Sequence, residues 1–233
     1  GDISPLLDEI QELNALSGVK IVLTSRSEIA GDEFNRWVIS RLTQEDVQTI
    51  LRQRQIPEPE NMEIMELLHI PIMLSMYIEA LNGRKILKLD NKDELLEEYF
   101  SVLIAKEARN SLNLDSLDDV QDSPAYFGAQ VAVKYILPEI AALLQKQENA
   151  LSEKELYHCV EKCYRYLNQK AFTGVFEKWI GHTSELKLGA KNADEWYGKV
   201  VQEILWKKLG LLVKDMDRYR ISHQIIEEYM VQK

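Results

Sequence analysis

The sequence predicts a mainly α-helical fold of the α+β kind, and three observations carry that prediction. Apolar residues recur at helical spacing in segment after segment, most opened by a capping residue and closed by Gly, Pro or Asn. Only short β-branched runs stand against them, near the start and at residues 211–221. No unit repeats with a period of about 20–50 residues, which disfavours a solenoid. With 233 residues, 45% of them hydrophobic, the chain can fill one large core or two smaller ones. A disordered chain of this length would carry far fewer Leu, Ile and Val.

Residues 4–16 (SPLLDEIQELNAL) predict a helix. Ser4 caps it, Pro5 suits the first turn, and Asp8 and Glu9 favour its positive end. Leu6, Leu7, Ile10, Leu13 and Leu16 form one apolar face, and Ser17-Gly18 ends the helix. Residues 19–24 (VKIVLT) are apolar on both faces, as in a strand buried within a parallel sheet. A single helix and strand cannot build such a sheet. Its partner strands are therefore expected outside this chain, and the initial Gly1 reads as the start of a fragment.

Residues 36–42 (RWVISRL) form a second candidate strand. Thr43 then caps a helix, with Asp46 three residues on, and the proline-rich IPEPEN stretch stops it after Gln55. A short helix is expected over 61–69, interrupted at Pro71, and another over 72–81, ended by Asn82-Gly83. Residues 93–110 predict a long amphipathic helix. The acidic, turn-rich stretch 113–124 (NLDSLDDVQDSP) marks an internal boundary.

Beyond that boundary, 125–147 is helical, with Pro138 starting a second helix or kinking the first. Leu151-Ser152-Glu153 opens a helix that runs through Leu167, and 171–181 and 193–209 add two more. Residues 211–213 and 219–221, around an Asp-rich turn, predict a β-hairpin. Ser222 is expected to cap a last helix, HQIIEEYMV. Helices followed by a small hairpin suggest a winged-helix unit.

Three segments, in this order, resemble one family. VKIVLTSR, residues 19–26, is similar to a buried strand with a polar Thr-Ser-Arg tip. ELLHIPIMLSMY, residues 66–77, is similar to a helix end followed by proline and an apolar helix. YRISHQIIEEYM, residues 219–230, is similar to a strand leading to Ser-His-Gln and a helix with Glu and an aromatic. Together they resemble the NACHT branch of the STAND signalling NTPases, which includes NOD-like receptors and bacterial defence proteins. Ile70 and Ile221 stand where relatives often have Asn or Gly, and Phe.

The resemblance implies three domains: a nucleotide-binding remnant of a P-loop NTPase sheet (1–42), a helical domain (43–112) and a helical, winged-helix domain (113–233). It also implies that Arg26 faces the terminal phosphate, Pro71 packs on adenine, and His223 holds the β-phosphate of ADP. A guanidinium at a strand end and an imidazole at a helix start both suit phosphate. The cofactor implied for the full-length protein is ATP or ADP with magnesium. The implied partners are a P-loop half of the same protein and further copies of it, in the cytoplasm.

No G-x-x-x-x-G-K-[ST] occurs, so this chain lacks the cradle for a triphosphate. It is expected to hydrolyse no ATP alone and to bind no nucleotide tightly. A net charge of −10 disfavours nucleic acid and anionic lipid, and no run near 18 residues reads as a membrane span. Cys159 and Cys163, four apart, read as reduced thiols on one helix face, with too few ligands for zinc. His182-Thr183-Ser184 lacks a positioned acid, and Glu97-Glu98 and Glu227-Glu228 point apart on helices, so no catalytic residue and no metal ligand is assigned. Two other readings stay open: a helical interaction scaffold without a nucleotide site, and a transcription regulator using the winged helix.

Overall fold

A computed structural model describes residues 40–81, 88–112, 123–147, 150–167 and 191–233, with 9, 10, 12, 13, 15 and 16 near the start. The fold is mainly helical with a small three-stranded antiparallel sheet. Two compact units are distinguished, Gly1–Ser40 and Arg41–Lys233. In the first, the described residues 9, 10, 12 and 13 are helical. Ile10 is buried there, but Leu13 and Leu16 are exposed, so the expected apolar face is not wholly covered. The expected strand at 19–24 lies outside the described residues, as do the expected helix 171–181 and the loop with His182. Of the expected strand 36–42, residues 40–42 are described and carry no strand pairing. The Leu42 N–H instead donates to His69 O at 2.8 Å.

The second unit opens with α1, Gln44–Gln53. Thr43 and Asp46 form a reciprocal capping box: Asp46 N–H donates to Thr43 Oγ1 and Thr43 N–H to Asp46 Oδ2. The helix ends at Gln55, whose φ of 57° is a conformation usually left to glycine. That twist lets Ile56 N–H reach back to Leu51 O at 2.9 Å. Then come α2, Met62–Leu68, and α3, Pro71–Leu81, whose axes differ by 118°. The long helix α4, Lys92–Leu112, packs against α3.

Next, α5, Pro124–Val131, passes through a π-helical turn, Ala132–Ile136, into α6, Leu137–Lys146. Pro138 has no N–H to give Lys134 O and its ring crowds that carbonyl. The Leu137 N–H bonds five residues back to Ala132 O, widening the turn just before the proline. The chain neither breaks nor restarts there. Residues Ala125–Lys146 form a continuous helix long and apolar enough to cross a membrane, contrary to the expectation that no such run exists. More than half of its most apolar stretch is buried in the core.

Strand β1, Leu151–Ser152, leads into α7, Glu153–Leu167. Ser152 and Glu155 form a second capping box. Helix α8, Ala193–Tyr197, is capped by Asn192 and continues as a π-helical segment, Gly198–Lys208. The expected hairpin follows as β2, Leu212–Asp215, and β3, Arg218–Ile221. Strand β3 lies in the middle, paired to β2 on one side and to β1 on the other, with Leu151 opposite Tyr219. Alternation is plain on β3, where Tyr219 and Ile221 are buried and Arg218 and Arg220 exposed. The last helix is α9, Gln224–Val231. Buried residues from α1 through α9 form one contiguous cluster that runs across both sides of the 112/113 position.

The two capping boxes give an acid response. Hydrogen bonds from Thr43 hold the Asp46 carboxyl below its usual range, and bonds from Ser152 do the same for Glu155. A depressed folded-state pKa means the contribution is fully present above the unfolded value of about 4 and is lost as pH falls through the folded one. The first turns of α1 and α7 are expected to fray in that acidic window, read by amide exchange. Side-chain titration of Asp46 and Glu155 at ordinary carboxylate values would contradict this.

Candidate functional site

Pro71 sits at the sharp corner between α2 and α3. The last turn of α2 closes through Ile70 N–H to Leu67 O at 3.0 Å, and Ile70 O then accepts from Leu74 N–H at 3.1 Å. Pro71 is thus the first residue of α3, where its missing N–H leaves no bond unmade and its fixed φ is already helical. Its ring is exposed, whereas Met73, Leu74, Met76 and Tyr77 face the core. The Tyr77 hydroxyl donates to Pro57 O at 3.1 Å, and burial pushes its pKa up to about 12. That bond ties the corner to the proline-rich loop after α1.

His223 occupies the N-cap of α9, with extended backbone (φ −139°, ψ 136°). Its carbonyl accepts from Ile226 N–H at 3.0 Å and Glu227 N–H at 3.2 Å. The expectation that Ser222 caps this helix is corrected here. Ser222 N–H donates to Leu211 O at 3.0 Å, which keeps that residue with the hairpin and moves the cap one residue on. The His223 imidazole makes no side-chain capping bond and is exposed.

Arg26, the third expected nucleotide contact, lies outside the described residues. Pro71 and His223 begin two helices, α3 and α9, that both pack on α4. On the α9 side, Phe100 stacks on Tyr229 with ring centroids 5.8 Å apart and planes at 19°. Lys92 lies 4.0 Å from Glu228, which also accepts from the Gln224 amide at 2.8 Å.

A charged cluster that no sequence motif marks joins α4 to the end of the π-helical segment. Lys208 Nζ lies 3.4 Å from Glu107 Oε1 and 3.0 Å from Glu203 Oε1, and donates to Ser111 Oγ at 3.1 Å. Burial works against the ammonium charge, but the bonds and charges of Glu203 and Glu107 outweigh it and raise the Lys208 pKa. The signal was absent from the sequence because the partners are about a hundred residues apart.

Around the hairpin the exposed charges are mixed. Asp194, Glu195, Glu203, Asp215 and Asp217 are exposed beside Lys207, Lys208, Arg218 and Arg220. Arg218 is already engaged, donating to Ala150 O at 2.6 Å. Trp196 is fully buried and Trp206 meets Tyr219 edge-on, while Trp179 lies outside the described residues. Cys159 and Cys163 are free thiols, half-buried on one face of α7. The bond to Cys163 and burial push the Cys159 thiol up. Among the described residues, no group of three His, Cys, Asp or Glu side chains is placed to hold a metal.

Compared with protein-family models, curated proteins and solved structures, the chain matches none of them.

Proposed function

We propose that this chain is the sensor and lid part of a nucleotide-dependent signalling switch of the NACHT type, its second half a winged-helix unit. The observation that carries the reading is His223: an exposed imidazole at the N-cap of a helix that directly follows a hairpin. A helix start favours an anion through the helix dipole and the N–H groups that point out of its first turn. Pro71, exposed at the first turn of α3, supports an apolar contact for a purine face.

The winged-helix reading is supported by element order. Among the described residues a helix, a short strand, a helix, a second helix beyond residues 168–190 and a hairpin come in that order, with the first strand paired to the hairpin's second. The net charge of −10 and the acids around the hairpin favour a protein contact over a nucleic-acid one. In this reading ADP bridges the helix start at His223 to the P-loop half of the full-length protein, and exchange for ATP releases that bridge, leading to self-association in the cytoplasm. Nucleotide shifts such an equilibrium only through its different affinity for the two states.

The test is calorimetric titration of ADP and ATP into the protein extended to include its P-loop, with magnesium present. His223→Ala is expected to weaken ADP by about tenfold or more, the range of a hydrogen bond to a charged group, and to leave ATP nearly unchanged. Equal ADP affinity in wild type and variant would remove the bridge. Steady ATP turnover by the 233-residue chain alone would overturn the whole reading.

A further inference from the structure

The segment Gly198–Lys208 prolongs α8 in a wider register than the helix it continues. Leu209 N–H, for example, donates to Ile204 O at 2.9 Å, five residues back rather than four. The segment packs beside the π-helical turn Ala132–Ile136. Wide-register helix is rare, mostly a single turn long, and concentrates where proteins bind or move. A run of 11 residues therefore needs something that permits it and something that holds it.

The permitting feature lies at its first residue. Gly198 has helical backbone, and a Cβ built there would meet no atom within 4 Å. Packing does not demand glycine, and in a helix interior glycine is a poorer choice than alanine. What it supplies is backbone freedom at the junction of the two registers. The holding feature lies at the last residue. Lys208 contacts Glu107 and Ser111 on α4 as well as Glu203 one turn back. Ser111 Oγ in turn donates to Glu107 Oε1 at 2.7 Å, and Glu107 is only 13% exposed. These contacts fix the rotation of the segment's last turn against a separate element.

We propose that Gly198–Lys208 is a register-shifting helix, hinged at Gly198 and latched by Lys208 on α4, that passes between five-residue and four-residue hydrogen bonding. In the narrower register each residue advances further round the axis, so Lys208 swings off Glu107. The rotation is passed through Leu209 and Leu211 into the hairpin, because Leu211 O holds Ser222 N–H. The device goes beyond the nucleotide reading and stands without it.

The test uses the full 233-residue chain with no nucleotide. Methyl relaxation dispersion is expected to show microsecond–millisecond exchange at Val200, Val201 and Ile204 in the wild type. Amides of the segment should open more readily than those of the core helix α3. Gly198→Ala, which removes the backbone freedom that permits the wide register, should raise the population of the four-residue register about four- to fivefold, the glycine-to-alanine difference in helix propensity. Lys208→Met, which keeps length and removes charge, should raise it about two- to fivefold. The proposal is overturned if the wild-type segment shows no dispersion and exchanges only at the α3 rate. It is equally overturned if either variant lowers the population of the four-residue register or leaves it unchanged.

Discussion

Trp196→Ala is expected to lower the unfolding free energy by about 3–5 kcal/mol, the range for deleting a buried tryptophan. The residue is fully buried, with its ring 5.6 Å from that of Tyr164 on α7. It is therefore the joint between α7 and α8. An indole of this kind covers about 150–250 Å² of apolar surface, worth roughly 4–6 kcal/mol at about 25 cal/mol per Å². Since small domains hold about 5–15 kcal/mol in all, the loss takes a large share of the total. Urea unfolding followed by circular dichroism reads it, with Trp196→Phe as the milder variant that keeps an aromatic ring. The buried cluster is continuous from α1 to α9, so amides in α3 should lose protection along with those in α8. Two separate transitions, with α3 unaffected, would show instead that the contiguous core does not act cooperatively.

Phe100→Ala is the second large effect, also about 3–5 kcal/mol by the same rule for buried aromatics. Phe100 is almost wholly buried, meets Tyr99 edge-on and stacks on Tyr229. Its particular importance is position: it binds α9, the helix that starts at His223, to α4. A double-mutant cycle of Phe100→Leu with Tyr229→Leu should give a coupling of about 0.5–1.5 kcal/mol beyond the lost area. Coupling near zero would mean that α9 is held by its other contacts, with α6 above all, and that the stacked rings contribute only area.

What was legible in the sequence was local. Thr43 with Asp46 announces a helix start because both residues lie within one turn, and Leu151-Ser152-Glu153 announces another, though the Glu155 that completes its capping box is not part of that signal. Pro71 marks a helix start by its own covalent geometry, and the hairpin shows in two short apolar runs around a polar turn. What escaped was set at long range. Leu151 and Ser152 are a strand only because Tyr219 and Arg218 lie opposite them. Pro138 hinted at a disturbance, but which way the helix would yield depended on its neighbours. Ser222 reads as the cap of the last helix, but the carbonyl of Leu211 holds it to the hairpin and His223 takes that place. Of the candidate site, Pro71 suits a first helical turn by its fixed φ and is found there, whereas His223, expected inside the last helix behind a Ser222 cap, stands at its N-cap. The Lys208 cluster had no sequence signature, since nothing local joins Glu107 to a lysine on the far side of the chain.

Strand β1 also sets an order of events during synthesis. Its partner, Arg218–Ile221, emerges from the ribosome long after Leu151–Ser152 does. At about 5–20 residues per second that delay is roughly 3–13 s. Helices α1 to α4 can collapse on local contacts in that interval, because helix formation and short-range packing take microseconds to milliseconds. The first strand cannot pair until the hairpin arrives. Nascent chains stalled between the two strands should therefore present an unsatisfied edge to chaperones, and chains released beyond Ile221 should not.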